Sequence, residues 1–179
     1  MNDLPKIEEF QYQLELTKYL DNLDGNYSFT KDDIYKITLW KVGRFPNISQ
    51  EALIAFNKLA NYNSLYTAKV DVEIALTELL KCKGVRLPMA STYLRFRNPK
   101  VFQIIDWHVW NQVKIWDKSG TLNQYPDELA TYNQDASKQI KLYFDYLKVL
   151  RDMCGYYRVK FEDADRIFYL KDKHEKKNN

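Results

Sequence analysis

The sequence predicts an all-α fold. Glycine and proline are scarce, five of each in 179 residues, so turn signals are few. Apolar residues recur at helical spacing along most of the chain. The one β-like run, VFQII at 101–105, has no evident partner strand and reads as an extended lead-in to the next helix.

Residues 5–20 carry Ile7, Phe10, Leu14 and Tyr19 near helical spacing, and DGNYS at 24–28 reads as a loop. Thr30 is placed to cap a helix whose first turn holds Asp32 and Asp33, where the helix dipole favours them. That helix runs through Ile34, Ile37 and Leu39 to about Val42, where GRFPN at 43–47 ends it. Ser49 caps the next, with Leu53, Phe56, Leu59 and Ala60 on one face. A helix over about 67–82 carries Val70, Ile74, Leu76 and Leu80. GVRLP at 84–88 is a tight turn, and Pro88 suits the first turn of the helix after it, which ends before Asn98–Pro99. Further helices cover about 106–117 and 136–153, the second with a stripe of Ile140, Phe144, Leu147 and Leu150. Between them 118–135 is polar and loop-like, and Gly155 with Tyr156, Tyr157 and Arg158 reads as a turn. A last helix over about 162–173 gives way to a charged tail, KDKHEKKNN at 171–179, expected to fray.

Length and the lack of a linker or repeat suit a single compact helical domain over 1–179, or two lobes sharing a core. The formal net charge of +3 permits a nucleic-acid partner without requiring one. Cys82 and Cys154 have no CxxC spacing and no histidines clustered near them, so neither a metal site nor another cofactor is expected, and both read as buried thiols. No apolar run approaches the ~18 residues of a membrane span, and MNDLPKIEEF lacks a signal pattern, so a soluble, cytoplasmic protein is expected. Fourteen tyrosines and four tryptophans are many for this length; they serve as core or as stacking surfaces for bases.

Two features carry chemistry. Gly84 permits a backbone conformation closed to other residues, so the chain can reverse and start a new helix at once. The N–H groups at such a helix start have no intrahelical acceptor and make an anion site. Lys81, Lys83 and Arg86 add charge, Ala90 allows close helix approach, and Leu79, Val85 and Leu94 hold the pair together. The alternative is an ordinary helix–helix hairpin. The second feature is Asp106, 22 residues after Gly84, between Ile104–Ile105 and Trp107, with Trp110 close by. A carboxylate in such apolar company is costly to bury unpaired. It is either the N-cap of the helix that follows or a carboxylate serving chemistry in a dry cleft. The run KDDIYKITLWKVGR at 31–44 places Lys36, Lys41 and Arg44 beside Trp40, as a solvated face over one buried tryptophan or as a basic face for DNA.

CKGVRLPMA at 82–90 followed by IIDWHVW at 104–110 resembles the helix-hairpin-helix DNA glycosylase superfamily, whose hairpin reads L-P-G-[VI]-G-x-[KT]-x-A with a catalytic Asp some twenty residues on. The resemblance covers about 35 residues, with the hairpin motif at about 67–97. The order Asp106, His108, Trp110 is similar to the oxoguanine-excising branch. It implies a two-lobed helical fold that binds double-stranded, damaged DNA and flips a nucleotide out of the stack. It implies backbone phosphate contacts by Lys83, Gly84, Val85, Arg86, Met89 and Ala90, a phosphate contact by His108, and catalysis by Asp106. Trp40, Trp107 and Trp110 are the candidates for holding the base, each with core packing as the alternative. The chain departs from that branch at three points. Pro88 stands where the branch has a nucleophilic lysine, Arg86 replaces the second glycine, and Lys83–Gly84 replaces Pro–Gly. Lyase chemistry is therefore not expected. Three readings stay open: a monofunctional glycosylase in base-excision repair, a DNA-binding module without catalysis, and a structural or interaction domain.

Overall fold

A computed structural model describes residues 4–23, 28–41, 46–129 and 135–177. Among them are eight α-helices and no strand: α1 (Leu14–Asp21), α2 (Lys31–Lys41), α3 (Gln50–Asn57), α4 (Leu65–Lys81), α5 (Leu87–Arg97), α6 (Trp107–Trp116), α7 (Ala136–Tyr157) and α8 (Ala164–Lys177). No helix among the described residues is long and apolar enough to cross a membrane. The chain divides into two units. Tyr12–Phe102 holds α1 to α5; Met1–Gln11 and Gln103–Asn179 together hold α6 to α8. The loop expected at 24–28 and the break expected at 43–47 fall largely outside the described residues, as does Arg44.

In the first unit the expected caps form. Thr30 N–H and Oγ1–H both donate to Asp33 Oδ2 (2.9 and 2.7 Å) and Asp33 N–H returns to Thr30 Oγ1, a reciprocal cap that starts α2. Ser49 Oγ accepts from Ala52 N–H at 3.1 Å and starts α3. Ser64 does the same for α4, so that helix begins two residues before the expected position. The buried faces differ from the expected stripes. On α4 the core side is Ala68, Val72, Ala75, Leu76 and Leu79, while Val70 and Ile74 are 67% and 48% exposed. On α2 Ile34, Ile37 and Trp40 are buried, while Leu39 is 50% exposed. The single helix expected over 5–20 is instead a 3₁₀ turn at Ile7–Glu9 and α1, separated at Gln13, whose φ of 40° breaks the helical run. Helix α5 is buried on all sides, including Arg95, which pairs with Asp21 at 2.8 Å, and Arg97, which donates to the Asn57 carbonyl at 2.9 Å.

Asn98 ends α5 as expected. Its Nδ2 donates to the carbonyls of Leu59, Ala60 and Tyr62, which fastens the helix end to the α3–α4 connection. The lead-in over 101–105 is buried; it starts in a turn, with Val101 and Phe102 N–H on the Asn98 carbonyl, and contains no strand. Side chains do a strand's work: Tyr143 and Tyr146 of α7 donate their hydroxyls to the carbonyls of Gln103 and Ile104, at 2.9 and 2.6 Å. Burial holds both phenols well above their ordinary pKa, so they remain donors.

Two expectations at the end of the chain are corrected. No turn occurs at Gly155; α7 continues to Tyr157, and Arg158, at φ 57°, is the left-handed cap, with Val159 N–H reaching the Cys154 carbonyl. The tail does not fray at 171. Helix α8 continues to Lys177, held by Lys171–Glu175 and Asp172–Lys176 pairs at i,i+4 spacing and by the hydrogen bond between buried Asp172 and His108. Cys82 and Cys154 are free and buried, and burial pushes the Cys154 thiol up to about 12.

Candidate nucleic-acid interface

The hairpin between α4 and α5 is built on Gly84, whose φ of +90° lies where side-chain-bearing residues are strained. Pro46 packs against it: a Cβ on Gly84 would lie 3.5 Å from Pro46 Cα, and Asn47 N–H donates to the Lys83 carbonyl at 3.2 Å. Arg86 stands at the N-cap of α5 with φ −118°, so the position that differs from the family's second glycine is extended and unstrained. Pro88 is the second residue of α5. Lys81, Lys83, Gly84 and Arg86 are exposed, while Val85, Met89 and Ala90 are buried.

The amides divide differently, since those of buried Leu87 and Met89 stay unbonded among the described residues. Val85 N–H is spent on the Cys82 carbonyl (3.0 Å) and Ala90 N–H on Arg86 (2.9 Å), so these two residues shape the turn and offer no amide to a ligand. The N–H groups of Gly84, Arg86, Leu87 and Met89 have no acceptor among the described residues. That leaves a basic turn with open amides at the start of an eleven-residue helix.

In the other unit Asp106 is the N-cap of α6. Its Oδ1 accepts from Val109 N–H at 2.9 Å, and its carbonyl accepts from Trp110 N–H at 2.8 Å. The residue is half-buried, at the end of the buried Ile104–Ile105 run. Its negative charge is near enough to Tyr146 to add to the effect of burial on that phenol.

His108, in the first turn of α6, is held by a residue that sequence reasoning assigned to a fraying tail. Its Nδ1 lies 2.6 Å from Asp172 Oδ2 of α8, and Tyr169 meets the ring edge-on at 4.8 Å. Nε2 has no partner among the described residues. Asp172 is 3% exposed and also accepts from Lys176 Nζ (2.6 Å) and Gln112 Nε2 (3.4 Å). Burial alone would raise its pKa, but the hydrogen bonds from His108, Lys176 and Gln112 outweigh that and hold the carboxyl below its ordinary value. The sequence signal that would have found it is the alternation of Lys171–Glu175 and Asp172–Lys176 at i,i+4, which marks a continuing helix.

Two of the three tryptophans proposed for a base are core. Trp40 is buried, donates Nε1 to Thr17 Oγ1 at 2.6 Å, and packs edge-on against Tyr12 and Phe96. Trp110 is fully buried and donates Nε1 to the Asp127 carbonyl at 3.0 Å. Neither presents a ring to a ligand. Trp107, the first residue of α6, is 45% exposed, with Lys176 Nζ 5.3 Å from its ring centroid. In the basic run, described as far as residue 41, Trp40 is buried, Lys36 and Lys41 are half-buried, and Lys36 donates to the Tyr19 hydroxyl at 2.6 Å. Among the described residues no group of three or more His, Cys, Asp or Glu is placed to hold a metal ion. No family model, curated protein or solved structure matches the chain.

Proposed function

We propose that the chain binds DNA and cleaves the N-glycosidic bond of a flipped, damaged nucleotide without a lyase step. The observation that carries this reading is Asp106 at the N-terminus of α6, half-buried at the end of an apolar run, with His108 on the same helical turn held by Asp172 of α8. Glycosidic cleavage sends the bonding electrons out with the base and leaves positive charge on the sugar. A carboxylate held there stabilises the oxocarbenium ion and orients water onto C1′. His108, with Nδ1 held on Asp172, keeps Nε2 for a contact with the strand's backbone. The hairpin's open amides, with Lys83 and Arg86, suit the backbone of a strand rather than its bases.

A second reading has its own support. The Asp106 carboxylate already has work to do as a helix cap, so a binding module without catalysis uses the same geometry. The experiment that separates them is single-turnover excision on duplexes carrying oxidised, deaminated and alkylated bases, run with wild type and Asp106→Asn beside a duplex-binding measurement. Excision by wild type that the Asn variant loses, with binding intact, supports the enzyme. Binding with no excision on any lesion supports the module, and absence of both refutes the DNA reading.

A further inference from the structure

The last turns of α8 reach back to the start of α6 and place one cation against one exposed indole. Lys176 Nζ lies 2.6 Å from Asp172 Oδ2 and 5.3 Å from the centroid of the Trp107 ring. An ammonium has three donors, and Asp172 takes one of them. The cation is held in place by a carboxylate that is itself 3% exposed and shared with His108 Nδ1. Glu175, the other acid on this turn, is occupied by Gln112 Nε2 and Lys171 Nζ. Trp107 differs from the other tryptophans in having both its ring open and its Nε1 uncommitted to any described residue. Trp40 and Trp110 are core, and Trp116 is half-buried beneath Lys118. A core explanation therefore does not cover Trp107, and a fraying tail does not explain why Lys176 is anchored.

We infer that Trp107 and Lys176 form a nucleotide contact, in which the indole stacks on an unstacked base of an opened DNA strand and the ammonium meets that strand's phosphate. The inference rests on the DNA reading and specifies which part of the strand this unit takes. An aromatic face beside a cation is what a single strand requires: the ring accepts any base, and the cation follows the backbone. A fully paired duplex offers no free base face, so the contact discriminates opened strand from closed.

The test uses the full chain with a short oligothymidylate and a fully paired duplex as probes. Trp107→Ala should weaken oligothymidylate binding about tenfold and leave duplex binding within about twofold. Lys176→Gln should lower the slope of log affinity against log salt for the oligonucleotide by about one. Wild-type tryptophan fluorescence should be quenched on binding. Trp107→Phe, which keeps an aromatic ring and guards against a folding artefact, should retain most of the affinity and lose most of the quenching. An abasic sugar–phosphate strand should bind wild type and Trp107→Ala alike. If the Ala and Gln variants bind oligothymidylate as wild type does while Lys83→Glu weakens the duplex, this contact is wrong and the DNA reading survives. Quenching that persists in Trp107→Phe also overturns the contact. If wild type binds neither probe, both fall together.

Discussion

Asp106 can be tested by separating its charge from its shape. As an N-cap it supplies one acceptor to Val109 N–H at 2.9 Å, and asparagine supplies the same acceptor with nearly the same side chain. Asp106→Asn should therefore move stability by no more than a few tenths of a kcal/mol. Asp106→Ala removes the acceptor and should cost about 1 kcal/mol, seen as a fall of roughly 2–4 °C in Tm. For catalysis the charge decides. A carboxylate about 4 Å from a sugar cation is worth about 4 kcal/mol at an effective dielectric of 20. Asp106 is half-buried rather than dry, so that figure is a ceiling. The loss of one preorganised electrostatic stabiliser is generally about 10²–10³-fold in rate. The expected pattern is thus two variants that part company: Asn stable and at least about 10²-fold slower in single-turnover excision, Ala slower and also less stable. The assay is excision from a labelled duplex with enzyme in excess, beside thermal unfolding of each variant. If the Asn variant excises at the wild-type rate, Asp106 is a cap and nothing more. If Asn is as destabilising as Ala, the cap reading of the 2.9 Å contact is itself in error.

Lys83→Glu should weaken binding to all duplex sequences about equally and lower the salt slope; a sequence-selective loss would contradict a backbone role. Borohydride reduction on abasic or lesion-bearing DNA should trap no covalent adduct, because Pro88 stands where the nucleophile would be; a crosslink mapped to any lysine would refute this. Asp172 is held below its ordinary pKa, so its contribution to stability is complete above the unfolded value and is lost as pH falls through the folded one. Unfolding midpoints measured from about pH 5 down to 2 should show a fall in wild type that is shallower in Asp172→Asn. Arg158 carries a left-handed φ of 57° with a side chain attached, so Arg158→Gly should stabilise the chain by up to about 1 kcal/mol in denaturant unfolding.

What was legible in the sequence was local. Thr30, Ser49 and Asp106 were readable as caps because the acceptor and the amide it serves lie three residues apart, whatever the rest of the chain does. Gly84 was readable because its conformation is a property of one residue. The stripes were read less well. Val70, Ile74 and Leu39 are as apolar as the residues that are buried, and only the neighbouring helices decide which face is covered. The run at 101–105 forms no strand, as its lack of a partner segment in the sequence implied. That two tyrosines some 40 residues later would satisfy its carbonyls was invisible.

At the site, locality also makes the central residue ambiguous. Asp106 is conspicuous because a carboxylate stands among apolar residues at a helix start, and a helix start is also where a carboxylate needs no further reason to be. The three tryptophans show the converse. Each is a base-holding candidate by residue type with core packing as its alternative, and packing sends two into the core and leaves Trp107 at the surface. Asp172 was missed because its partner His108 is 64 residues away, and a run of alternating charges looks solvated unless its i,i+4 pairs are traced through. Yet Asp172 is the residue that argues most against a purely structural α6 start. A cap needs only Asp106. It gives no reason for a second, buried carboxylate to bind a histidine on the same turn and a lysine that sits over the exposed indole. Lys176 stands in the last turn of α8, where that helix's own dipole favours a cation, and buried Asp172 pairs with it there. What that pairing leaves unexplained is an ammonium anchored over an exposed indole, and a DNA strand with an unstacked base is the partner that this reading supplies for both.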